Sequence, residues 1–87
     1  MKNDNYNGWK NYQTWNVALW INNDESLYRL LVEYSRRCKV KGVKPTYGGL
    51  IHGRSGLWDK KTSDGVSYTD HRIARKELNR DLFEGLG

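Results

Sequence analysis

Residues 11–24, NYQTWNVALWINND, constrain this chain more than any other stretch, because they hold two of its four tryptophans and its densest apolar run. Trp15, Val17, Ala18, Leu19, Trp20 and Ile21 make a short, almost all-round apolar element, and the polar residues on either side suit helix starts and turns. Such an element has to be buried. In a helix begun at Asn11 or Thr14, either a good N-cap, Trp15, Ala18 and Leu19 fall at i, i+3 and i+4, while Val17, Trp20 and Ile21 cover a second face. A strand is the competing reading, since Trp15, Val17, Leu19 and Ile21 alternate and aromatic and β-branched residues favour strands. Helix is preferred because the next polar cluster fits a helix–helix turn and no partner strand lies nearby.

A second helix follows from residue 24 to about 38. Leu27, Leu30, Leu31, Tyr34 and Cys38 fall on one face, and Asp24 and Glu25 suit the positive end of the helix dipole. Arg29 with Glu33 makes an i,i+4 pair, Arg36, Arg37 and Lys39 suit the C-terminal end, and Gly42 can stop the helix. Thr46 can cap a short helix from 47 to about 52, weakened by Gly48, Gly49 and Gly53. Residues 54–65 read as a loop pinned by Leu57 and Trp58, or as a small hairpin across Asp64-Gly65 that pairs 57–61 with 66–68. Thr69 or Asp70 caps a last helix to about 83, with Ala74, Leu78 and Leu82 in one row, and Gly85 and Gly87 mark its end.

These elements predict one small, mainly α domain of three or four short helices over 1–87. A tail over 1–10 is pinned by Tyr6 and Trp9, and a basic, glycine-rich connection spans 39–65. The strongest contacts are expected among Trp15, Leu19, Leu27, Leu30, Leu31, Leu78 and Leu82. At 87 residues the chain buries a small share of its surface, so its core must be rich per residue. With six tyrosines and four tryptophans against one phenylalanine, much of that core carries a polar edge that needs a partner.

Charge is localised. The chain carries +5 overall, yet Arg36, Arg37, Lys39, Lys41, Lys44, Arg54, Lys60 and Lys61 face only Asp59 between positions 36 and 61, which leaves the remainder slightly acidic. With Tyr47 and Trp58 interleaved, this segment has the mix of cations and aromatic faces that single-stranded nucleic-acid sites use. On the last helix Arg72, Arg75, Lys76 and Asn79 fall at i, i+3, i+4 and i+7, the size of face that a groove-reading helix presents. A solvated helix face explains the same pattern.

Nothing in the sequence assembles a catalytic set. Gly48, Gly53, Arg54 and Ser55 read G-x-x-x-x-G-R-S, one substitution from a phosphate-binding loop, but no buried strand precedes it, Gly56 follows at once, and Arg does not replace Lys conservatively there. Cys38 is alone and His52 and His71 make no zinc spacing, so neither disulfide, metal nor cofactor is expected. Cys38 lies on the apolar row and reads as a core residue. The N-terminal stretch has no apolar h-region and no run approaches the roughly 20 residues that span a bilayer, which predicts a cytoplasmic protein.

GWKNYQTWNVALWINNDESLY near the front and TSDGVSYTDHRIARKELNRDL at the back are the stretches that carry a resemblance. Together they resemble a family of small phage and bacterial proteins with an N-Y-x-T-W-N-V-A-L-W-[IL]-x-N-D-E-x-L-Y opening and a T-x-D-G-V-x-[WY] plus E-L-N close. No activity is assigned to that family, so the resemblance implies a compact, helical, phage-associated protein and carries over no functional residues. The expectation is therefore a non-enzymatic accessory protein that binds a host protein or nucleoprotein through Tyr47, Arg54, Leu57, Trp58 and Lys60. The alternative is direct binding of RNA or DNA through the 36–61 segment and the 72–79 face. Leftover Trp or Tyr surface leaves a homodimer open.

Overall fold

Asn11 begins the first helix as a side-chain cap: its carboxamide oxygen accepts from the Thr14 amide at 2.9 Å and from the Thr14 hydroxyl at 2.7 Å. In the computed structural model, which describes residues 8–84, the helix α1 runs Tyr12–Asn23 and is followed by α2 Glu25–Lys41, α3 Tyr47–His52 and α4 Arg75–Phe83, with a 3-10 turn at Leu57–Asp59 between the last two. The strand alternative for 14–21 is thereby settled as helix, and the fold is mainly α. Tyr6, Gly85 and Gly87 lie outside the described residues, while Trp9 packs half-buried against the core.

Asp24 serves two helices at once. Its amide donates to the Trp20 carbonyl at 2.9 Å, closing α1, and its carboxylate accepts from the Leu27 amide at 3.0 Å, opening α2. At the other end of α2, Gly42 takes the left-handed conformation at φ 74°, and the amides of Gly42 and Val43 donate to Lys39 and Cys38 carbonyls at 3.1 and 2.9 Å. This pair of bonds satisfies carbonyls that a helix end leaves orphaned. On the outer face Arg29 pairs with Glu25 at 3.0 Å rather than with Glu33.

The two-faced apolar helix expected for α1 is corrected. Thr14, Asn16, Val17, Ala18 and Ile21 form its buried face, Leu19 is 36% exposed, and Trp15 and Trp20 are only half covered. The reason is architectural: the main helical partners of α1 are α2 and α4, and Trp15, Leu19 and Trp20 lie outside or at the edge of the face that is covered. Leu31, Leu78 and Leu82 are buried as expected, whereas Leu27 and Leu30 sit at the edge of the core. The centre is supplied instead by α3, through Tyr47, Leu50 and Ile51.

The glycines of α3 are there for packing. A Cβ at Gly49 would overlap the Tyr34 hydroxyl, which itself accepts from the Thr46 amide at 3.2 Å, so the absence of a side chain there lets Tyr34 of α2 reach the start of α3. Thr46 caps α3 as expected, accepting from the Gly49 amide at 3.1 Å. Tyr47 donates its hydroxyl to the Tyr68 carbonyl at 2.7 Å inside the core, and burial pushes that hydroxyl well above its ordinary value, with Tyr68 adding to the effect.

The hairpin near 57–68 shrinks to a single antiparallel bridge between Lys61 and Ser67, because residues 57–59 coil. Thr62 and Val66 close the turn, with the Thr62 amide donating to the Val66 carbonyl at 2.8 Å and Gly65 at φ 89°. The last helix begins later than expected. Asp70 does not cap it, because its carboxylate takes the Arg72 amide, Nε and a terminal guanidinium nitrogen at 2.8, 3.0 and 2.8 Å. The Ala74 amide donates instead across the molecule to Thr14 Oγ1 at 2.8 Å.

Candidate functional site

The cations of the middle segment do not form one patch. At 1.5 Å per residue, α2 is about 25 Å long, and its ends carry different groups. Lys60 and Lys61 line a shallow depression with Asp24, Ser26 and Leu27 at the N-terminal end of α2. Arg36, Arg37, Lys39, Lys41 and Lys44 lie at the C-terminal end, with no acidic residue between them in sequence. Among the described residues, Arg36, Arg37, Lys41 and Lys44 are in no ion pair.

Helix α4 brings a further cation to that end. Arg80 joins Lys39 and Lys44 around a groove of about 460 Å³ whose other walls are Ser35, Val43, Pro45, Asn79, Phe83 and Glu84. The floor is apolar. Val43 is 53% exposed, and Phe83, almost fully buried, leans against Tyr34 with ring centroids 5.9 Å apart and planes tilted by 57°. The groove exists because the Gly42 turn swings the 43–45 connection away from α2 before Thr46 starts α3, and Asn79 ties the two together by accepting from the Tyr47 amide at 2.6 Å.

Several residues expected at a binding surface are held elsewhere. Tyr47 is fully buried, which corrects its expected role as an exposed aromatic face. Arg72 precedes α4 and is bound to Asp70, whose carboxyl it holds down at about 2, chiefly through the side-chain hydrogen bond. Arg75 lies over the Tyr47 ring, 5.7 Å from its centroid. The continuous 72–79 basic face is therefore broken, and only Lys76 of its cations is exposed with no such engagement. Arg54 and the half-exposed Trp58 remain at the surface, near α3 and on the 3-10 turn. Arg80, Val43, Pro45 and Phe83 had not been singled out, although Arg80 stands one turn beyond Lys76 on the same helix and Val43 and Pro45 are apolar residues set among lysines.

A second polar cluster joins α1 to the 62–66 turn. The buried Asn16 accepts from the Thr62 hydroxyl at 2.6 Å and donates to Asp64 at 2.8 Å, and the Trp20 indole donates to the same carboxylate oxygen at 2.9 Å. The Asn16 bond first, and the Trp20 bond second, hold the Asp64 carboxyl below its usual range. These three bonds fasten the turn to α1, so the cluster works as a staple. Ser55 likewise gives its hydroxyl to the Leu50 carbonyl at 2.6 Å, and Gly48 lies inside α3, so 48–55 forms no phosphate loop.

Among the described residues no group of three His, Cys, Asp or Glu could hold a metal ion, and no helix is long and apolar enough to cross a membrane. Comparison with known families gives one finding: the model of a family of unknown function, DUF7249, matches residues 2–85. Neither the curated proteins nor the solved structures give a match.

Proposed function

We propose, for a chain that belongs to this family of unknown function, that it is a non-enzymatic binding protein whose basic pole holds an acidic macromolecular partner. The observation that carries this reading is the gathering of six cations about the C-terminal end of α2, where Lys39, Lys44 and Arg80 line the groove and Arg36, Arg37 and Lys41 line a separate shallow depression with Val40. A concentration of one sign of charge beside a concave surface raises the local concentration of oppositely charged partners and speeds their encounter. The shifted groups support a binding role over catalysis, since hydrogen bonds within the fold account for Asp64 and Asp70 and burial accounts for Tyr47. The resemblance to small phage and bacterial proteins supports the finer reading of a phage-borne accessory protein acting on a host protein or nucleoprotein in the host cytoplasm.

Affinity capture from nuclease-treated bacterial lysate, with the wild type beside an Arg36→Glu/Arg37→Glu/Lys41→Glu variant, tests the reading. The expected result is a protein retained by the wild type, released as salt rises, and lost in the variant. Retention that the variant preserves would overturn the reading, and retention that vanishes with nuclease would transfer it to nucleic acid.

A further inference from the structure

We infer that the groove between the end of α2, the 43–45 connection and α4 is a docking site for an acidic peptide segment carrying one large apolar side chain. This rests on the binding role proposed above and names the class of partner. Among the described residues the rim carries Lys39, Lys44 and Arg80 beside Glu84, with Asp81 4.0 Å from Arg80, so three cations meet two carboxylates and the groove favours an occupant of net negative charge. Val43, Pro45 and Phe83 make the lining mainly apolar beside the uncharged Ser35 and Asn79, so the occupant presents apolar surface between its acidic groups. A volume of about 460 Å³ takes a side chain such as Leu or Phe with its flanking backbone.

Nucleic acid fits the rim but not the floor. Single-stranded sites depend on exposed aromatic faces on which bases stack, and the one aromatic ring of this groove is 9% exposed and turned toward Tyr34. Trp58, which is exposed enough to stack a base, lies on the 3-10 turn rather than among the groove's lining residues. A peptide with acidic flanks and an apolar anchor satisfies both halves of the groove at once.

Selection of short random peptides displayed on yeast, with the full chain as bait, tests the inference. Selected peptides should be acidic, should share one Leu, Ile, Phe or Trp at a fixed place, and should bind in fluorescence anisotropy with affinity that falls as salt rises. Val43→Asp changes an exposed floor residue and Lys44→Glu/Arg80→Glu an exposed rim, so circular dichroism should show both folded. Each should weaken the selected peptides by about tenfold or more, the effect of losing one buried side chain or two close charges. Acidic peptides with no fixed apolar residue, or undiminished binding to Val43→Asp, would overturn the groove while leaving the acidic-partner reading standing. Selection without acidic enrichment would overturn both. Displacement of the peptides by a second copy of the chain, seen as Val43-dependent self-association in sedimentation, would replace the peptide with a self-interface.

Discussion

Asp64 shows how much a single exposed carboxylate can do in a small domain. One of its oxygens receives both Asn16 and Trp20, so the turn at 62–66 is fastened to α1 by two hydrogen bonds with one acceptor. Its carboxyl is held below the ordinary value, which means that the folded state binds this proton less readily than the unfolded chain. The stability it contributes is therefore present above the usual carboxylate range and fades as pH falls through the lower, folded-state value. In a pH titration followed by NMR, the Trp20 indole and Asn16 amide protons should move together, with a midpoint below that of an ordinary aspartate. A midpoint at or above the ordinary value would show that the two bonds do not favour the ionised form. Asp64→Asn should abolish the movement. The turn itself was legible, since Asp64-Gly65 is a strong turn signal. The staple was not, because a polar residue in an apolar run gives no sign of a partner 46 positions away. Burying Asn16 unpaired would cost about 1–3 kcal/mol, so its partners decide whether this register of α1 is tolerated at all.

The helices divide by where their caps come from. Asn11, Asp24 and Thr46 each cap a helix from three residues before the donating amide, and all three starts could be read from the sequence within a residue or two. The start of α4 could not, since it has no side-chain cap: the amide of its N-cap residue Ala74 is held by Thr14, 60 residues away, while the expected cap, Asp70, is taken by Arg72. The same geometry ties the front of the chain to its back. Besides the Thr14 bond to Ala74, the Asn11 carboxamide donates to the Arg72 carbonyl at 2.6 Å and Glu77 accepts from the Lys10 amide at 3.0 Å. These bonds lock α1 and its approach to the start of α4. Thr14→Val keeps the shape of the side chain but strips the acceptor, and should cost about 1–3 kcal/mol in urea denaturation. Amide exchange over the first turn of α4 should quicken more than exchange in α2, and Thr14→Ser should restore most of both. Equal quickening in the two helices would mean that Thr14 supports the core in general and α4 no more than the rest.

Across the whole molecule, α2 acts as an axis that separates charge. Its N-terminal end carries Asp24 and Glu25, with Lys60 and Lys61 nearby, whereas its C-terminal end gathers cations from two helices and a connection with little to offset them. The sequence showed the excess of charge between 36 and 61 but not its division, because the division depends on α3 and the 3-10 turn carrying the chain back toward the start of α2. A pole of like charges is held together by the rest of the fold and strains against it. At about 0.01 M ionic strength the Debye length is roughly 30 Å, so every cation of the pole repels every other, and near 0.15 M it falls to about 8 Å, so only neighbours do. Raising sodium chloride between these limits should therefore stabilise the protein. Relief of about 1 kcal/mol corresponds to a rise in Tm of roughly 4–8 °C for a domain of this size. The surface pairs Arg29–Glu25 and Arg80–Asp81 pull the other way, but exposed pairs of this kind are worth little. Arg37→Glu/Lys41→Glu should raise Tm at low salt and shrink the salt-induced rise. If Tm falls with salt in the wild type, the surface pairs outweigh the pole, and the cations at the end of α2 are already balanced within the fold and have no surplus charge to offer a partner.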